Sequence, residues 1–299
     1  MMDTAAHAFA GTFEERLIDT VDGLKIYARD YAPRAPVTGL PVVCLHGLTR
    51  NSKDFEIIAP RIAALGRRVI APDMRGRGRS SYDPDPAHYV PAIYAQDVLT
   101  LLDKLDVKQA VFVGTSMGGV ITMVIAALAP DRIAASALND IGPKVNAAGL
   151  ARIASYVGNA QAVASWEEAA AKVREVNGPM HPAHLDDAAY WTAFAHRTWR
   201  ARDDGMIEAD YDLSIALAFG DPDTAPPADM TALFAMLAHK PVLSIRGMES
   251  DLLSPETVDL MRTMRSDLVS VEVANTGHAP ALDEPEAWDA LLDFLAVVP

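Results

Sequence analysis

The stretch that decides how this chain folds is Ala110-Val111-Phe112-Val113-Gly114-Thr115-Ser116-Met117-Gly118-Gly119, which continues into an apolar pattern ending at Leu128. Ala110 to Val113 is short, wholly apolar and rich in β-branched residues, as a buried strand should be. Met117 to Leu128 repeats its apolar residues every three or four positions, as a helix should. Between them Gly114, Ser116 and Gly118 form Gly-x-Ser-x-Gly. A chain of this length shows that pattern by chance roughly one time in ten, so the setting carries the argument. In a strand–turn–helix the serine sits in a strained backbone conformation, and the flanking glycines remove Cβ atoms that would clash in so tight a turn. Its hydroxyl is thrust out at the carboxyl end of the strand. The same turn places the Met117 N–H at a helix amino terminus, aimed at any negative charge that develops there.

Outward from this unit the same alternation recurs. Val42 to Leu45, Arg68 to Ala71, Ala134 to Leu138, Val242 to Ile245 and Val269 to Val273 read as strands buried on both faces of a parallel sheet. Phe55 to Leu65, Ile93 to Leu105, Pro255 to Met264 and Pro285 to Leu295 read as helices, the last two opened by Ser-Pro and Glu-Pro. Alternating strand and helix predicts an α/β fold with right-handed crossovers. Near the start, Leu17-Ile18 and Leu24 to Tyr27 flank Asp22-Gly23 and predict an antiparallel hairpin at the sheet edge. The alternation stops between Pro143 and Pro241. Residues 144–240 read as helices and loops without a convincing strand, so the prediction is one core, 1–143 with 241–299, carrying a helical cap at 144–240.

Composition narrows the partners. The 299 residues carry 26 Lys plus Arg against 40 Asp plus Glu, a net charge of −14, which repels nucleic-acid phosphates and anionic lipid alike. Arg75-Gly76-Arg77-Gly78-Arg79 therefore reads as a loop after a strand, not as a nucleic-acid segment. The single Cys44 cannot form an internal disulfide and reads as a small buried hydrophobe. The amino-terminal stretch lacks a charged and apolar leader pattern, and the longest apolar stretch, Val120 to Ala129, is too short to span a bilayer. The expectation is a cytoplasmic protein with a small-molecule substrate and no membrane or nucleic-acid partner; oligomeric state is unreadable. From Asp203 to Asp229 the cap carries eight acidic residues and no Lys or Arg. At a pocket mouth that run would favour neutral substrates over anionic ones.

A serine hydroxyl attacks at neutral pH only if a positioned base takes its proton. His278, in Asn275-Thr276-Gly277-His278-Ala279-Pro280 after the last strand, is the best-placed histidine. An acid should precede it, and Asp251, beyond the strand that ends at Ile245, gives the order Ser116, Asp251, His278. Asp140, which also closes a strand, and Glu249 are the alternatives. The oxyanion of a tetrahedral intermediate needs two donors, for which the Leu48 and Met117 N–H groups are candidates. His46 reads chiefly as a structural residue of the loop. It joins Arg50, Trp191 and Trp199 as candidate substrate contacts. No phosphate-binding loop, H-E-x-x-H or Cys/His cluster is present in the sequence, so no cofactor or metal is expected.

These motifs together resemble the α/β-hydrolase superfamily: Val43-Cys44-Leu45-His46-Gly47, Pro72-Asp73-Met74-Arg75-Gly76-Arg77-Gly78-Arg79-Ser80, Gly114 to Gly119, Arg246-Gly247 with Asp251, and Gly277-His278. The resemblance covers nearly all of the core but not the cap. It implies an eight-stranded mostly parallel sheet, a Ser-Asp-His triad at its carboxyl edge and a variable helical cap after the sixth strand. A serine at the turn separates the chain from the epoxide hydrolases and haloalkane dehalogenases, which are similar elsewhere but use aspartate there. Thr115 and Ala279 depart from the pattern of carbon–carbon bond hydrolases, with Asn and an aromatic at those positions. The reading is therefore a carboxylesterase-like serine hydrolase acting on an ester or lactone through an acyl-enzyme. Carbon–carbon cleavage, a cofactor-free haloperoxidase-like esterase, and a non-catalytic binding protein on the same scaffold rank behind it.

Overall fold

The computed structural model describes residues 12–219 and 229–299. Its strands and helices follow from the alternation in the sequence. The hairpin is β1 (Glu14–Asp19) and β2 (Lys25–Tyr31), closed by Gly23 at φ 85° and paired antiparallel. β3 (Val42–Leu45), α1 (Ile58–Ala64), β4 (Val69–Pro72), α2 (Pro91–Lys104), β5 (Ala110–Thr115), α3 (Met117–Leu128) and β6 (Ile133–Asn139) complete the first part of the core. After the cap, β9 (Val242–Gly247), α8 (Pro255–Met264), β10 (Val269–Val273) and α9 (Pro285–Val297) complete the second. One eight-stranded sheet results, in the order β1-β2-β4-β3-β5-β6-β9-β10, parallel from β4 to β10. Only β2 runs against the rest, so its pairings with β1 and with β4 are both antiparallel.

The two-residue period of a strand divides the core into two layers. Val42, Cys44, Val111 and Val113 point to the side where Phe55, Ile58 and Ile62 meet Leu291 and Phe294 of α9. Val43, Leu45, Ala110 and Phe112 point to the side covered by α2, α3 and α8 through Val98, Leu101, Ile121 and Met261. Both faces are thus sealed by helices, which is why the central strands are fully buried and mostly apolar.

The chain leaves the sheet after β6 and returns at β9. Between them lie α4 (Ala147–Tyr156), α5 (Trp166–Asn177), α6 (Ala188–Thr198) and α7 (Thr231–Ala235). Against the strandless reading of 144–240, this segment also holds a small antiparallel hairpin, β7 (Trp199–Ala201) with β8 (Ile207–Ala209). Gly205 at φ 85° turns it, helped by the Arg202 N–H bond to Met206 O. Three-residue strands are too short to show a period. No helix among the described residues is long and apolar enough to cross a membrane. Cys44 is buried in β3, where burial pushes its thiol up.

Candidate active site

The turn between β5 and α3 has the strain its sequence requires. Ser116 sits at φ 50°, a left-handed conformation that costs a non-glycine residue about 1–3 kcal/mol. Its neighbours permit it by omission. A Cβ on Gly118 would run into the backbone carbonyl of Leu45, and one on Gly114 into the Gly118 carbonyl. These contacts seat the first turn of α3 directly on β3 and β5. The Ser116 N–H also bonds to Asn139 O at 2.9 Å, tying the turn to the end of β6.

His278 reaches this serine from the loop after β10. Its Nε2 lies 2.9 Å from Ser116 Oγ, and its Nδ1 lies 2.7 Å from Asp140 Oδ2. The carboxylate beside the histidine is therefore that of Asp140, not that of Asp251. Asp140 is the first residue beyond β6, fully buried and itself at φ 54°. Its carboxylate also accepts hydrogen bonds from the Gly247 N–H (2.9 Å) and Ser250 Oγ (2.5 Å). Three donors around one carboxylate fix its position and stabilise its charge. Asp251 instead accepts both nitrogens of Arg152, from cap helix α4, at 2.5 and 2.8 Å. Burial alone pushes the Asp251 carboxyl up, but the Arg152 guanidinium outweighs it and holds the group below the usual range.

The third component is the loop after β3. Gly47 packs close to the Ser116 side chain. Among the described residues the N–H groups of Leu48 and Met117 have no hydrogen-bond partner. Arg77, buried in the loop after β4, donates through Nε to Leu48 O at 2.8 Å and through Nη1 to Tyr94 Oη and Arg75 O. Asp73 takes the Ser52 and Arg79 N–H groups. Arg77 and Asp73 thus brace the loop that carries Leu48. The sequence offered them only as parts of a motif. Arg75, fully buried, is consumed by Asp97 and Asp83 with help from Asp22. Arg75 and Arg77 are internal scaffolding, while Arg79 is exposed and pairs with Glu15.

The remaining candidates separate clearly. His46 is fully buried, gives Nδ1–H to Gly47 O at 2.7 Å and accepts the Met74 N–H at Nε2, so it holds the loop and does not reach the cavity. Burial holds it neutral, with its pKa lowered to about 4. Trp191 is also excluded: it is buried in the cap's own core, its Nε1–H bonded to His184 O. Trp199 lines a second cavity described below, and Arg50 lines both. A residue absent from the sequence reading, His181, joins Ser116 and His278 in lining a cavity of about 300 Å³ between core and cap. Tyr190 Oη bonds its Nδ1 at 3.1 Å, and burial keeps the ring neutral, its pKa lowered to about 3. A histidine between two prolines, in Pro179-Met180-His181-Pro182, gave no motif to find it by.

None of the described acidic residues of the cap run lines this cavity. Asp204 pairs with Arg202, Glu208 with Arg200 and Asp210 with Lys53, while Asp212 accepts from Tyr89 Oη. Asp221 and Asp223 lie outside the described residues. The expected bias toward neutral substrates has no support in this arrangement.

Comparison with known proteins agrees with the geometry. Residues 41–285 match the family model of the alpha/beta hydrolase fold. The 3-hydroxybutyrate-oligomer hydrolase of Cupriavidus necator is 32% identical over 253 residues, which cover 84% of this chain and 86% of that protein. A bifunctional epoxide hydrolase 2 of Sus scrofa is 39% identical over 98 residues, only 32% of this chain and 18% of that one. The crystal structure of an alpha/beta hydrolase from Novosphingobium aromaticivorans is 42% identical and superposes with a TM-score of 0.86, covering 95% of this chain and 98% of that one. With the sheet order, the strained serine turn and these matches in place, the chain belongs to the α/β-hydrolase family.

Proposed function

We propose that this protein hydrolyses carboxylic esters through an acyl-enzyme on Ser116, and that its substrates are short aliphatic hydroxy-acid esters. The observation that carries the reading is the unbroken hydrogen-bonded line Ser116 Oγ, His278 Nε2, His278 Nδ1, Asp140 Oδ2, opening on a cavity. Because Asp140 accepts at Nδ1, the proton of a neutral His278 resides there and the Nε2 lone pair faces the serine hydroxyl. As Oγ attacks the ester carbonyl, its proton passes to Nε2 and the imidazolium that forms lies against a carboxylate. The unpartnered N–H groups of Leu48 and Met117 receive the oxyanion, each worth about 3 kcal/mol in the transition state. His278 then gives the proton to the departing alkoxide, and water repeats the cycle on the acyl-serine, releasing the acid.

The substrate class rests on the cavity and on the relative. Leu48, Ile57, Ile153, Phe194 and Leu282 supply an apolar wall, interrupted by Arg50, His181 and Arg197. Such a site suits a small aliphatic chain bearing a few polar oxygens. The Cupriavidus necator relative, matched over most of both chains, is by name a hydrolase of 3-hydroxybutyrate oligomers. Serine in place of aspartate at the turn favours acyl transfer over the epoxide chemistry named for the partial relatives.

The test is turnover of p-nitrophenyl butyrate by wild type and Ser116→Ala. Wild type should release many equivalents of p-nitrophenol per protein and label with a fluorophosphonate; the variant should do neither. Equal turnover by the two proteins, or a wild type that stops at one equivalent, overturns the assignment.

A further inference from the structure

The catalytic cavity is not the end of the accessible space. A second cavity of about 340 Å³ lies within the cap, walled by the end of α4 and the loop after it, one side of α5, and the β7–β8 hairpin. The two cavities share Thr49, Arg50, Tyr156, Asn177 and Phe194. Those five residues, the waist, stand between the two cavities. On the catalytic side are Ser116 and His278; on the other are Ala162, Val163, Val176 and Trp199, with Lys172 and Glu175 at the exposed rim.

The waist has a chemistry of its own. Arg50 lies 4.0 Å above the Phe194 ring and commits Nε and one terminal nitrogen to Asp54, leaving its other terminal nitrogen without a partner among the described residues. Asn177 spends its side-chain N–H on Val173 O and, among the described residues, takes no hydrogen bond at its side-chain oxygen. An unspent donor and an unspent acceptor in a lining that also holds two aromatic rings fit a chain that is mostly aliphatic but carries oxygens at intervals. A simple alkyl chain would leave both groups unpaired wherever it stripped them of water.

We propose that the cap cavity is a binding site for the distal units of a linear aliphatic oligoester, threaded through the waist while its scissile ester lies at Ser116. Arg50 donates to a carbonyl of the next unit as it passes between Tyr156 and Phe194. This rests on the ester-hydrolase reading and adds to it that a substrate longer than the catalytic cavity is the preferred one.

The test measures kcat/KM for linear 3-hydroxybutyrate dimer, trimer and tetramer in wild type, Ala162→Trp and Val176→Trp, with p-nitrophenyl butyrate run alongside on wild type. Both positions lie in the cap cavity and are only partly buried, and two variants guard against a fold lost in one. The wild-type kcat/KM should rise about tenfold or more from dimer to tetramer, a gain typical of filling one further small pocket. An indole in the cap cavity should abolish that rise. A wild type with no gain in chain length, or variants that keep it, overturns the proposal. Turnover of p-nitrophenyl butyrate without a gain overturns the cap site alone; no turnover of any ester overturns the hydrolase reading and the cap site with it.

Discussion

Asp140 and Asp251 are carboxylates set just past the carboxyl ends of neighbouring strands, β6 and β9, and the residues around them divide their work. Asp140 follows β6 directly and collects Gly247 N–H, Ser250 Oγ and His278 Nδ1 on one buried carboxylate. Asp251 stands four residues beyond Gly247, about a quarter exposed, and closes on Arg152 of the cap. The sequence reading favours Asp251 and leaves Asp140 as an alternative, although each is an acid after a strand in the right chain order. What separates them is Arg152, a residue 99 positions away whose approach depends on how α4 folds back. Asp140→Asn should therefore lower kcat/KM by about 10⁴, because an amide at that position favours the wrong imidazole tautomer. Asp251→Asn removes a partly exposed ion pair worth about 1 kcal/mol and should leave kcat/KM within about tenfold. Steady-state assays on p-nitrophenyl butyrate decide between them, and the reverse order of losses would restore Asp251 as the acid.

At the scale of elements, most of the core was legible because each piece announces itself locally. β3 and β10 span the residues their apolar runs predict, and α3 and α8 start and stop where Ser116-Met117 and Ser254-Pro255 place them. The cap was legible only in outline. Trp191 reads as a pocket aromatic until Phe194 and Tyr190 are seen packing on it, and three-residue strands leave no pattern at all. His181 becomes visible only once Gly277 N–H is bonded to Met180 O, which draws that loop onto the histidine loop. The most exacting contact between elements is again in the core, where α3 rests on β3 through Gly118. Gly118→Ala should force α3 away from the Leu45 carbonyl, costing about 1–3 kcal/mol of stability as overpacking does. It should also shift the Met117 N–H out of line with that of Leu48 and lower kcat about 10²-fold. A Cβ on Gly119 would collide with the Ile141 side chain and only graze the Gly114 carbonyl, whereas that on Gly118 strikes backbone outright, so the losses of Gly119→Ala should be smaller. Calorimetry and kcat measured on both variants test this, and equal losses would show that the backbone contact is not what matters.

For the molecule as a whole, two buried histidines give acid stability a defined window. His46 lies under the β3 loop and His181 in the cap, and burial lowers their pKa values to about 4 and about 3. In the unfolded chain each titrates near 6.5. Between those values the unfolded state binds protons that the folded state refuses, so stability rises with pH. The contribution is complete above about pH 6.5 and is lost as pH falls, through about 4 for His46 and about 3 for His181. Across its window His46 is worth roughly 3 kcal/mol and His181 roughly 5. Carboxylates held low, such as Asp22 at about 2 beneath Arg75 and Thr20, add their own loss only at still lower pH, so the first fall belongs to the imidazoles. The Tm should therefore drop from pH 7 to pH 5. His46→Gln keeps an acceptor for the Met74 N–H and a donor for Gly47 O but cannot take up a proton, so its Tm should drop by visibly less over the same interval. A variant whose Tm tracked the wild type across that interval would mean that the core histidine is not a source of the acid sensitivity.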